Sequence, residues 1–79
     1  MKIPRNISGD SLIKTLCKYW GYQQIHQVGS HFILETDLPS HQRMSIPSHK
    51  SLRIGTINSI LRVVANHKGV SKNKIIETL

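Results

Sequence analysis

Two runs rich in strand-forming residues, Tyr22–Val28 and His31–Thr36, are separated by only Gly29-Ser30. A gap of two residues, glycine first, directs the chain into a tight antiparallel hairpin, because such turns share the right-handed twist of the strands they join. A second turn, residues 37–41 (DLPSH), leads into a third run, Gln42–Pro47. Centring that turn on Pro39 sets Phe32 opposite Ile46, Leu34 opposite Met44 and Glu35 opposite Arg43. Apolar pairs then share one face and an ion pair falls on the other. Phe32 and Leu34 are expected in the core, while His31, Ile33 and Glu35 point away from it.

Helical periodicity flanks this block on both sides. Leu12, Ile13, Leu16, Cys17 and Trp20 form one amphipathic stripe, with Ser8 as N-cap, Asp10 in the first turn and Gly21 as the stop. From Gly55-Thr56 onward, Ile57, Ile60, Leu61 and Val64 repeat the pattern, with Asn58, Arg62 and Asn66 on the opposite side and Gly69 at the end. Ser71 can cap a short final helix carrying Ile75 and Ile76. The expected class is α+β, in the order α-β-β-β-α: a three-stranded antiparallel sheet with two helices on one face. That is the layout of a double-stranded-RNA-binding-domain-like fold, and the other sheet face is left open. At 79 residues, 1–79 is read as a single domain with a thin core and no room for a deep pocket.

Charge narrows the partners. Eleven Lys and Arg against four Asp and Glu give +7. The excess lies in the second half, where Arg43, Lys50, Arg53, Arg62, Lys68, Lys72 and Lys74 face Glu77 alone. Such a field attracts polyanions, RNA above all, and equally suits an acidic protein. No apolar run is long enough to span a bilayer, and the first residues have no secretory signature, so no membrane and a cytoplasmic location are expected. Cys17 is the one cysteine.

Several chemistries find no support. Four carboxylates, two in or beside one strand, do not suggest a two-acid mechanism, and there is no glycine-rich phosphate loop or nucleophile elbow. The spacing of His26, His31, His41, His49 and His67 matches no structural zinc pattern, so no metal and no cofactor are expected. RNA cleavage demands less. The substrate's own 2′-hydroxyl attacks, a histidine moves a proton, and a cation stabilises the phosphate. His31, directly after Gly29-Ser30 at a strand start, is a candidate, although a structural role is open to a histidine there. Tyr22 is the aromatic with most freedom to meet a base. Trp20 lies on the apolar stripe and is expected in the core, and His41 and His67 are expected on the surface.

Nearly the whole chain, from Ile7 to Val70, resembles the HicA toxin family of small ribonucleases from toxin–antitoxin pairs. The resemblance is carried by LIKTLCKYWGY, by Gly29-Ser30-His31 followed by FIL, by Pro47-Ser48-His49, and by Gly55-Thr56 followed by INSIL. It implies the RNA-binding fold above, endonucleolytic cleavage of mRNA that halts translation and growth under stress, and neutralisation by a HicB-like antitoxin, expected to be acidic. The family's catalytic histidine corresponds to His31. Gly29, Ser30, His49, Lys50, Arg53 and His26 are the expected RNA contacts. Many members carry an arginine in the strand before G-S-H; here that strand, QIHQV, offers His26 instead. The alternative is a non-catalytic RNA-binding module, or an inactive toxin kept as a partner for its antitoxin.

Overall fold

Helix α1 (Gly9–Tyr19) opens the computed structural model, which describes residues 2–4 and 6–79, and three strands follow: β1 (Gln23–Val28), β2 (His31–Thr36) and β3 (Gln42–Pro47). Helices α2 (Ile54–Lys68) and α3 (Lys72–Ile76) close the chain. The sheet is antiparallel in the order β1-β2-β3. This is the expected α+β arrangement, with the terminal helix present.

Each element begins and ends for a local reason. The Ser8 side chain accepts from the Ser11 N–H at 3.0 Å, satisfying one free donor of α1, and Asp10 sits in the positive first turn. Gly21, at φ +74°, then turns the chain toward β1. Gly29 has φ +60° while Ser30 does not share a positive φ, the pattern of a type II′ turn with glycine in the first central position. Helix α2 starts at Ile54, slightly earlier than expected, with Arg53 as an N-cap whose side chain makes no capping bond. Gly69 in the left-handed region ends it, and Ser71 caps α3 by accepting from the Lys74 N–H at 3.3 Å.

The β2–β3 register is the expected one: Phe32 faces Ile46, Leu34 faces Met44 and Glu35 faces Arg43. On the inner face, Leu34 and Ile46 are fully buried among Leu12 and Leu16 of α1, Ile57, Leu61 and Val64 of α2, and Ile75 of α3. Each such side chain contributes about 1.5–3 kcal/mol of transfer free energy. Trp20 packs half-buried against this core and its indole N–H donates to Thr78 Oγ1 at 3.0 Å, tying α1 to the end of the chain. Tyr22 corrects the expectation of an open aromatic. It is 2% exposed, its hydroxyl hydrogen-bonds Gln42 Oε1, and Lys68 Nζ stands 4.7 Å from its ring centroid. Gly21 turns it inward, so it belongs to the core and not to an RNA surface.

Gly9 fixes how α1 meets the sheet. A β-carbon there would lie 1.9 Å from the Pro47 carbonyl oxygen and 3.0 Å from Ser48 Cα, so only glycine permits the close approach. Gly55, exposed and with nothing within 4 Å of a β-carbon, is under no such constraint. Chemical denaturation should therefore separate them: Gly9→Ala lowers stability by about 1–3 kcal/mol, whereas Gly55→Ala raises it by up to about 1 kcal/mol.

Burial pushes the Tyr22 hydroxyl up to about 12. Its contribution to stability is therefore complete below the ordinary tyrosine value of about 10. It is lost as pH rises from there toward about 12, because the unfolded chain ionises first. Lys68, pushed down by burial, has the opposite slope. Comparing wild type with Tyr22→Phe isolates the tyrosine: the variant is less stable at neutral pH and loses less stability across this alkaline window.

Candidate nucleic-acid interface

Alternation along β2 sends Phe32, Leu34 and Thr36 inward and His31, Ile33 and Glu35 outward, and among the described residues no helix covers the outer face. His31 is exposed at the start of β2, opposite Val28 on one side and Pro47 on the other. His26 is exposed on β1, opposite Ile33, and therefore shares the face of His31. One residue before it the ladder breaks: Gln24 pairs with Leu34 and His26 with Ile33, so Ile25 is an extra, unpaired residue, a β-bulge. Bulges bend and twist a strand locally, and here the distortion begins beside His26.

The remaining expected contacts lie on the segment between β3 and α2. Backbone hydrogen bonds among the described residues hold it. The Ser48 N–H donates to the Ser30 carbonyl at 2.8 Å, the Gly9 N–H to the His49 carbonyl at 2.9 Å, and the Leu52 N–H to the Ile7 carbonyl at 2.8 Å. The hairpin turn with Gly29 and Ser30, the segment 47–53 and the start of α1 thus converge at one end of the domain. His49, Lys50 and Arg53 are exposed on that segment, and Pro47, His49, Ser51, Leu52, Arg53 and Thr56 line a shallow hollow there. The structure therefore brings His31, Ser30 and the 47–53 segment into one neighbourhood, with His26 further along the same sheet face.

Charge is distributed to match. At the opposite end of the sheet Arg43 is held by Glu35 at 3.0 Å and His41 contacts Asp37 at 3.1 Å. Lys68 donates to Thr36 Oγ1 at 3.0 Å and to the Leu38 carbonyl, and Lys72 to Asn58 Oδ1. Lys50 and Arg53, on the segment bonded to the hairpin turn, form no ion pair with another described residue; the same holds for Lys14, Lys18, Arg62 and Lys74 on the helices. A phosphate near His31 would therefore meet free cations, not neutralised ones. His67, expected on the surface, is half-buried, its Nε2–H donating to the Ser40 carbonyl at 2.8 Å. Burial pushes the Cys17 thiol up, away from thiolate chemistry. Among the described residues no group of three His, Cys, Asp or Glu side chains is arranged to hold a metal ion, and no helix is long and apolar enough to cross a membrane.

Sequence reasoning missed the part played by backbone here. The Ser48 N–H, which locks the β3–α2 segment to the hairpin turn, carries no side-chain signature; the only trace is Pro47, whose restricted φ pre-shapes the strand end.

A family model described as the HicA toxin of bacterial toxin-antitoxin matches residues 9–65, well over half the chain. The matched span contains the G-S-H turn, the 47–53 segment and most of α2. No curated protein and no solved structure matches the chain.

The anchoring of the segment can be tested directly. Ser48→Pro removes the donor to the exposed Ser30 and should cost about 0.5–1.5 kcal/mol, the net contribution of one hydrogen bond whose freed carbonyl water can reach. Amide exchange should show the loss locally, with faster exchange at Leu52 and Gly9 than in β2.

Proposed function

Because the chain belongs to the HicA toxin family, we propose that it is the toxin of a type II toxin–antitoxin pair, a metal-independent endoribonuclease that cuts mRNA. The observation that carries this reading is an exposed histidine, His31, at a glycine turn hydrogen-bonded to the segment that presents His49, Lys50 and Arg53. RNA supplies its own nucleophile, so this small set of groups is sufficient for the chemistry. RNA lies across the open sheet face with its phosphates toward the basic end. His31 moves the proton at the reacting phosphodiester, and Lys50 or Arg53 balances the charge that builds on phosphorus. Gly29 and Ser30 let the strand backbone come close. The products are a 2′,3′-cyclic phosphate and a free 5′-hydroxyl. One proton-transfer group supplies about 10²–10⁴-fold, a modest rate that suffices for a toxin whose targets are messages.

The same basic surface supports neutralisation by an acidic, HicB-like antitoxin, since a protein that covers Lys50 and Arg53 also shuts out RNA. Growth arrest on expression and relief by that partner are the cellular counterparts of this reading.

Incubating RNA with wild type and with His31→Ala in the presence of a chelator tests the proposal. Cleavage by wild type alone, with the mutant still folded and a matching DNA strand left intact, is the expected result. Intact RNA with both proteins, or equal cutting by both, would instead leave a non-catalytic RNA-binding module.

A further inference from the structure

We propose that His26 is a second catalytic residue, paired with His31 so that one imidazole takes the 2′-hydroxyl proton and the other gives a proton to the departing 5′-oxygen. This deepens the ribonuclease reading and rests on it. The geometry comes from the hairpin register. His26 stands opposite Ile33 and Val28 opposite His31, so these four residues are the corners of one rectangle on the outer face, with the histidines on a diagonal. Diagonal neighbours across an antiparallel pair lie about 7–8 Å apart. Two imidazoles at that separation can reach toward each other's side of a phosphodiester group, each within hydrogen-bonding distance of a different oxygen. Both rings are exposed, and neither makes a side-chain hydrogen bond with another described residue.

The other two corners suit the task. Val28 is 59% exposed and Ile33 half-buried, so the floor between the histidines is apolar and offers no hydrogen bond that would capture either ring. The Ile25 bulge adds local bend and twist to β1 immediately before His26.

The proton balance closes without any other reactant. One histidine, neutral, accepts the proton from O2′ as O2′ bonds to phosphorus; the P–O5′ bond breaks; the second histidine, protonated, delivers its proton to O5′. The enzyme ends with the two protonation states exchanged, and water restores them. Because one ring must be neutral and the other charged, activity depends on pH with two limbs. Among the described residues, no element packs on the outer face. The other titratable groups bordering the pair are Glu35, which Arg43 holds, and His49, Lys50 and Arg53 beyond Pro47.

The test compares wild type, His26→Gln and His31→Gln on a short RNA and on the same RNA with sulfur replacing the 5′-bridging oxygen at the cleavage site. Sulfur leaves as a thiolate and needs no proton. Expected on ordinary RNA is a loss of about 10²–10⁴-fold in kcat for each variant, with one limb of the pH profile abolished in each. On the sulfur substrate one variant, the one lacking the acid, recovers to near the wild-type rate and the other does not. Full activity of His26→Gln beside an inactive His31→Gln overturns the pair while leaving the ribonuclease reading intact. A His26→Gln loss confined to KM, with both limbs kept and neither variant rescued, makes His26 a phosphate contact and also overturns the pair. Equal cutting by wild type and His31→Gln overturns the ribonuclease reading itself.

Discussion

β2 is hydrogen-bonded on both edges, and its period of two governs the rest of the molecule. Leu34, fully buried, sits at the centre of the inner face, and the same alternation that buries it sends His31 and Ile33 outward. A slip of one residue would exchange the two sets, placing a histidine and a glutamate against the helices and Phe32 and Leu34 in solvent. The apolar core therefore holds the register, and the register holds His31 where a polyanion can reach it.

Holding β2 in place requires the helices, and their attachment is concentrated at the end that carries the site. Gly9 lets α1 approach the end of β3 closely, and the backbone bonds from Gly9 to His49 and from Leu52 to Ile7 lace the β3–α2 segment to the chain before and within α1. The bond from Ser48 to Ser30 adds the hairpin turn. Exposed side chains on short loops are thereby carried by an ordered backbone, which is how a domain of this size can present several groups with defined spacing despite having no deep pocket. The opposite end of the sheet is built differently. There Glu35 pairs with Arg43 and Asp37 with His41, while Lys68 lies over the buried Tyr22 ring and bonds Thr36 and Leu38, so these charged groups serve structure.

That polarity gives the net charge a direction. Composition alone says that the molecule attracts anions, but several of its cations are occupied, and the free ones include Lys50 and Arg53 beside the G-S-H turn. A toxin of a toxin–antitoxin pair suits such a surface, since one covering partner can block it.

Local signals determined most of the architecture. The Gly29-Ser30 gap, the turn around Pro39, the stripes of α1 and α2, and the caps Ser8 and Ser71 are short-range features, each set by a few neighbouring residues, and the β2–β3 register followed from matching apolar pairs. Tyr22 was not legible, because whether a residue after a glycine turns inward depends on Gln42 and Lys68, which are distant in sequence. The Ile25 bulge was equally silent, since regular alternation fits QQIHQV as well as the interrupted pairing does. For the candidate site, the sequence marked His31 and the basic residues by type and order, but only the tertiary structure decided that His26 shares a face with His31 and that Ser30 touches Ser48. Those relations depend on strand pairing and on backbone hydrogen bonds between segments, and no side-chain pattern encodes a carbonyl's distant partner.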